Sequence, residues 1–182
     1  MHFIERTFIM SIFLRLKNKL IAKIITRYPS LSKKFVDAYT PQASSDTTAW
    51  TPVEKPLSQC TVSVVTTAGV HHKSDKPFNM TDQDGDPSYR VIDLDQPLSE
   101  LIITHDYYDH TDADKDINVV FPIERLMEWE KEGIIKKLAQ RHYGFMGHIV
   151  NQYINTLTQK TAPEVAQKLK ADNVDVVLLT PG

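Results

Sequence analysis

The sequence predicts an α/β domain, and three observations carry that expectation. Cys60–Thr67 and Val174–Leu179 are strand-length runs rich in Val and Leu. Between them lies a segment punctuated as a helix, Pro122 through Glu132 with Gly133 beyond it, Pro at the start and Gly past the last turn. The composition is that of a globular chain, 41% hydrophobic and 24% charged, which excludes a wholly disordered protein. The expected architecture is a Rossmann-like parallel or mixed sheet with flanking helices. At 182 residues the chain can build one core without a covalent staple. With 21 cations against 23 acids there is no global electrostatic reason to bind nucleic acid. The single cysteine, Cys60, excludes an intrachain disulfide framework and a thiolate-rich zinc or iron–sulfur site. It points to a reducing, cytoplasmic setting.

In chain order, residues 1–40 form an N-terminal amphipathic helical segment. Ile9, Ile12, Phe13, Leu16, Leu20 and Ile24 recur at helical spacing among Arg15, Lys17, Lys19, Lys23 and Arg27. The apolar run Phe8–Leu14 is too short to span a membrane, and no secretory cleavage pattern follows it. Such a helix packs on its own domain or on a partner subunit; a lysine-rich interfacial membrane helix is the alternative. Met10 is a second candidate start. Ser30–Ala38 reads as a second short helix, and 41–59 as a Pro-rich linker with Pro41, Pro52 and Pro56. The α/β domain is expected over 60–182. After its first strand, Ala68–Tyr89 reads as a long polar loop, of a length that is functional or disordered in compact domains. Leu101–Thr104 and Asn118–Phe121 are further strand candidates. Ile149–Leu157 and Pro163–Ala171 read as helices, the latter entered through Thr161.

Several residues are candidates for chemistry. His71 and His72, then His105 and His110 among Asp106, Asp109, Asp112, Asp114 and Asp116, concentrate imidazole and carboxylate in two segments. Those groups suit a divalent metal, the wall of an active site, or a solvated loop, and the spacing is no defined ligand signature. Asp86 lies near Arg90, which is placed either to take a substrate carboxylate through two hydrogen bonds or to pair with a neighbouring Asp. Asp116 and Asn118 precede an apolar Val-Val-Phe segment and either orient a strand start or shape a site. Cys60 precedes a buried strand and reads as a small hydrophobe, and Met127 and Trp129 as core or interface. Neither Gly69 nor Gly85 sits in a phosphate-binding loop. The last strand runs straight into Thr180-Pro181-Gly182. A helix ordinarily follows such a strand, so it is either a terminal strand or half of an α/β unit.

Several blocks, in order, resemble one family. They are Thr66-Thr67-Ala68-Gly69-Val70-His71-His72, Pro77-Phe78, Gly85-Asp86-Pro87-Ser88-Tyr89-Arg90-Val91-Ile92, and Ile103-Thr104-His105-Asp106-Tyr107-Tyr108-Asp109. Then come Asp116-Ile117-Asn118-Val119-Val120-Phe121-Pro122-Ile123-Glu124-Arg125-Leu126, His142-Tyr143-Gly144-Phe145-Met146-Gly147, and Val176-Val177-Leu178-Leu179-Thr180-Pro181-Gly182. This series resembles the selenoprotein B family of the glycine, betaine, sarcosine and D-proline reductases. The resemblance implies a selenocysteine or cysteine directly after Gly182, and the selenocysteine codon, UGA, is one that gene-calling software reads as a stop. The chain is therefore expected to be truncated at its catalytic residue, with the C-terminal part of the domain missing, and inactive as written. The resemblance further implies a pyruvoyl group on a partner subunit that captures a small amine substrate. Selenolate attack then cleaves the C–N bond reductively, and a thiol or redox protein serves as donor. Substrate-pocket candidates on this basis are His71, His72, Asp86, Arg90, His105, Asp116, Asn118 and Gly182. No cofactor or metal is expected in the chain itself. A non-catalytic or metal-binding module on the same scaffold is the alternative.

Overall fold

The computed structural model describes residues 2–28, 30, 31, 33 and 51–182. Most of the second helix expected at 30–38, and linker residues 41–50, lie outside the described residues.

Strand β1 (Thr61–Thr66) is the axis of a mixed five-stranded sheet. Its residues Val62–Thr66 pair in parallel with Val176–Thr180 of β7 (Val176–Thr180). Along its other edge run two short parallel strands in succession, β5 (Lys137–Leu138) beside Thr61–Val62 and β6 (Arg141–Gly144) beside Val65–Thr66. Strand β3 (Arg90–Asp93) closes that side antiparallel to β6. A separate antiparallel ribbon joins β2 (Val70–His72) to β4 (Leu101–Ile103).

The period-2 alternation of β1 sends side chains to both faces, and each face has its helix. Val62 and Val64 pack with Phe121, Ile123 and Leu126, which places α2 (Ile123–Lys131) over one face. Val65, Tyr143 and Val177 pack with Val165 and Leu169 of α4 (Ala162–Ala171) on the other. Fully burying each such side chain contributes roughly 1.5–3 kcal/mol. A mixed α/β architecture with flanking helices is thus present.

Three local readings differ from the structure. Asn118–Phe121 is no strand: Ile117–Val119 is a 3₁₀ turn because the Asp116 carboxylate accepts from the Asn118 amide. The two helices expected after Gly147 are one. Val150, held by the Asp84 carbonyl, and Asn151 at φ +48° delay its start, so α3 begins at Tyr153 (Tyr153–Thr156). It then continues through a π turn, Leu157–Thr161, directly into α4. The long loop of 68–89 contains β2.

Helix α1 (His2–Arg27) forms as the periodicity predicts, but it sits the other way round. Ala22 is buried and Arg15 reaches the body, whereas Ile12, Phe13, Leu16, Leu20 and Ile24 all face outward. The reason is electrostatic. Asp106 is 1% exposed, and Arg15 Nε meets its Oδ2 at 2.6 Å while Lys19 Nζ stands 3.4 Å from Oδ1. A buried carboxylate without a cation costs far more than an exposed leucine.

Candidate functional site

The carboxyl ends of parallel strands are where α/β sheets place ligands, and here β1, β6 and β7 end together. The Thr67 amide donates to the Thr180 carbonyl at 2.9 Å, and the Thr66 and Thr180 hydroxyls both donate to the Val120 carbonyl. Gly182 lies so close to Ala68 that a Cβ on it would fall 2.3 Å from the Ala68 Cα. At Gly69, φ is +76° and a Cβ would come within 2.5 Å of the Thr104 carbonyl oxygen, so only glycine fits that turn. The turn brings the 104–110 segment across the strand ends. Its amide bonds to the Phe145 carbonyl, its carbonyl accepts from Thr104, and the Tyr108 hydroxyl donates to the Ala68 carbonyl at 3.0 Å.

His105 lies buried beside these strand ends and is 4% exposed. The Tyr107 amide points at its Nδ1 and the Gly147 amide at its Nε2, each at 3.1 Å. The ring packs edge-on against Tyr107 and Tyr108. Burial, with smaller contributions from His110 and His148, lowers its pKa to about 4, so it is neutral at physiological pH. Burial likewise raises the Tyr108 hydroxyl well above its ordinary value, and that hydroxyl stays protonated.

Of the residues expected from sequence, His105 and Gly182 lie at this end of the sheet. The others lie elsewhere. His71 and His72 are fully buried in β2. The His71 ring bridges the His72 carbonyl and the Thr104 hydroxyl, and burial lowers its pKa. Neither ring nitrogen of His72 meets a partner among the described residues. Asp86 organises its own loop. Burial pushes its carboxyl up, but hydrogen bonds from Ser88 and Asn79 and the Arg90 charge outweigh that and hold it below the usual range. Arg90 is spoken for by the same loop: its guanidinium donates to the Lys76, Tyr89 and Pro77 carbonyls and the Ser88 hydroxyl, stands 3.8 Å from Asp86, and covers the Phe78 ring. Asp116 and Asn118 cap the entry to α2, with Asn118 Oδ1 accepting from the Glu124 amide.

The His-Asp-Tyr-Tyr-Asp-His segment splits: His105 turns to Gly147, and His110 pairs with Asp114 at 2.8 Å. Among the described residues no three His, Cys, Asp or Glu side chains gather as a ligand set. Cys60 is fully buried, its thiol directed at the Pro56 carbonyl. Sequence reasoning did not single out Tyr108, Ala68 or Gly147 as site residues. Their only signal was membership of the quoted blocks, since a tyrosine or glycine in a loop has no chemistry of its own until the fold aims it.

A family model described as glycine/sarcosine/betaine reductase selenoprotein B matches residues 26–182. The chain is 47% identical over 133 residues to D-proline reductase subunit gamma of Acetoanaerobium sticklandii, which covers 73% of this chain and 53% of that protein. It is 32% identical over 143 residues to glycine reductase complex component B subunit gamma of Symbiobacterium thermophilum, 77% of this chain and 32% of that one. Betaine reductase complex component B subunit beta of Peptoclostridium acidaminophilum is 32% identical over 133 residues, 69% and 29% respectively. The chain thus spans about half the length of the first relative and about a third of the other two. No solved structure matches it.

Proposed function

The chain belongs to the glycine/sarcosine/betaine reductase selenoprotein B family, and from that premise we propose that it is part of a B-type component of a reductase complex. The complex performs reductive C–N cleavage of an amino acid or related amine. The observation that carries this reading is that two contacts, Gly182 against Ala68 and His105 with Gly147, lie at the carboxyl ends of β1, β6 and β7. On this reading the sheet is Rossmann-like and the reducing group, a selenocysteine or cysteine directly after Gly182, stands at that end. A selenol or thiol supplies reducing power as its anion. A partner subunit bearing a pyruvoyl group presents the amine, and a thiol or redox protein in the cytoplasm restores the reduced state.

The chain's own residues do the holding. The Gly69 turn and the Thr66 and Thr180 hydroxyls fix the strand ends. His105, uncharged at neutral pH, holds the amide of Gly147 beside those strand ends. The test is expression of the native gene in a host supplied with radioactive selenium, together with a pyruvoyl-bearing reductase subunit. Expected are co-migration of the label with this protein and dithiol oxidation dependent on D-proline, glycine, betaine or sarcosine. No turnover with any of the four, from a complex that does assemble, overturns the reading.

A further inference from the structure

The family match begins at residue 26, so it does not account for α1. That helix carries a ridge of large apolar side chains along its outward face. Phe13 is 71% exposed, Leu16 62% and Leu20 60%, with Ile24 continuing the line one turn on. The ridge cannot roll inward, because Arg15 on the opposite side and Lys19 on the flank are tied to buried Asp106 and Ala22 is packed beneath. On a 100° wheel Lys17 falls on one flank of the ridge and Lys23 on the other, with Arg27 at its end. Lys17 and Arg27 make no ion pair among the described residues, and Lys23 borders one cavity with Asp109 and Asp114.

The charges are segregated as well. From Arg6 to Val36 there are eight cations and no acid, while residues 37–182 hold 13 cations against 22 acids. A basic apolar ridge therefore stands on an acidic body. Two such ridges brought face to face would set cation against cation, which disfavours a second copy docked ridge to ridge. A surface that is apolar within and anionic at its rim satisfies both features at once, since lysine and arginine stems reach outward to headgroups while the ridge sinks below them. The acidic body, repelled by the same surface, sets the orientation. No helix among the described residues is long and apolar enough to cross a membrane, so the contact is one of lying on the surface.

We propose that α1 is an interfacial anchor that lays Phe13, Leu16, Leu20 and Ile24 into an anionic lipid surface, with Lys17, Lys23 and Arg27 at the headgroups. The strand-end site then lies on the side of the 105–108 segment away from the bilayer, because Asp106 faces α1 while His105 faces Gly147.

The experiment is co-sedimentation of the full chain with phosphatidylcholine vesicles, with and without an equal part of phosphatidylglycerol. Binding to the anionic vesicles is expected, with little to phosphatidylcholine alone. A Phe13→Glu, Leu20→Glu double variant should lower partitioning by about tenfold or more, with its thermal unfolding unchanged. Lys17→Glu with Arg27→Glu, or added salt, should weaken it further toward the neutral-vesicle level. Failure to bind anionic vesicles, or binding indifferent to the Phe13 and Leu20 changes, overturns the proposal. So does an oligomer, or a complex with a reductase subunit, that those two changes dissociate while vesicles remain unbound.

Discussion

The central sheet and α1 are held in place by opposite means. In the sheet, apolar side chains decide position: Val64, Ile92 and Phe121 are fully buried, and packing holds even polar groups such as the Tyr143 hydroxyl and His142 Nε2, which meet no partner among the described residues. In α1 Ile12, Phe13, Leu16, Leu20 and Ile24 are left outside, and two cations on one buried carboxylate decide which face turns inward. Hydrophobic periodicity therefore told that α1 is a helix without telling which way it faces. One charged residue ninety positions away supplied that information.

The contrast can be broken from the sheet side first. Phe121→Ala should cost about 3–5 kcal/mol, seen as a lower urea midpoint for the body and α1 together, since a helix docked on Asp106 has nothing to dock on once the body opens. Acid should come next. His105 and His142 are both lowered from 6.5 to about 4 in the folded body, burial being the main cause in each. The unfolded chain thus binds protons between pH 6.5 and 4 that the folded one refuses, and stability falls as pH falls through that window. The loss is up to about 3 kcal/mol per histidine. Unfolding of a His142→Gln variant should show a shallower slope there; an unchanged slope would contradict the burial argument. Gly69→Ala, which forces φ +76° on a side chain and pushes a methyl into the Thr104 carbonyl, should cost about 2 kcal/mol and loosen the 104–110 segment in amide exchange. The smallest effect belongs to α1. Arg15→Ala with Lys19→Ala should change body stability by about 1 kcal/mol or less, because releasing α1 lets water reach the Asp106 carboxylate that the two cations had satisfied. Yet it should abolish slow exchange along residues 12–27. If the body unfolds instead, α1 is integral to it and the contrast fails.

Legibility in the sequence follows the same physics. β1, β4 and β7 were readable because β-branched and leucine-rich runs have few other places to go, and α2 because Pro122 and Gly133 bracket it. β2 and β6 were not: Val-His-His and Arg-His-Tyr-Gly do not read as core, although His71, His72, His142 and Tyr143 are all fully buried. Their place is set by pairing with β4 and β1, a long-range cause that no local pattern records. At the site, His105 and Gly182 stood out by chemistry and by position. The amide of Gly147 and the carbonyl of Ala68 are backbone groups, which sequence leaves anonymous.

The His105 ring is flanked by one backbone amide at each nitrogen. A neutral imidazole has a single acceptor nitrogen, so one of the two amides always faces an N–H. Placing the proton on Nδ1 sacrifices the bond from Tyr107, and placing it on Nε2 sacrifices the bond from Gly147. Placing one on each sacrifices both, a second reason beyond burial for the ring to refuse a positive charge. The two neutral tautomers thus carry the same count of lost bonds. The doubly protonated ring is the one form that loses both, so the two amides act together to keep His105 neutral.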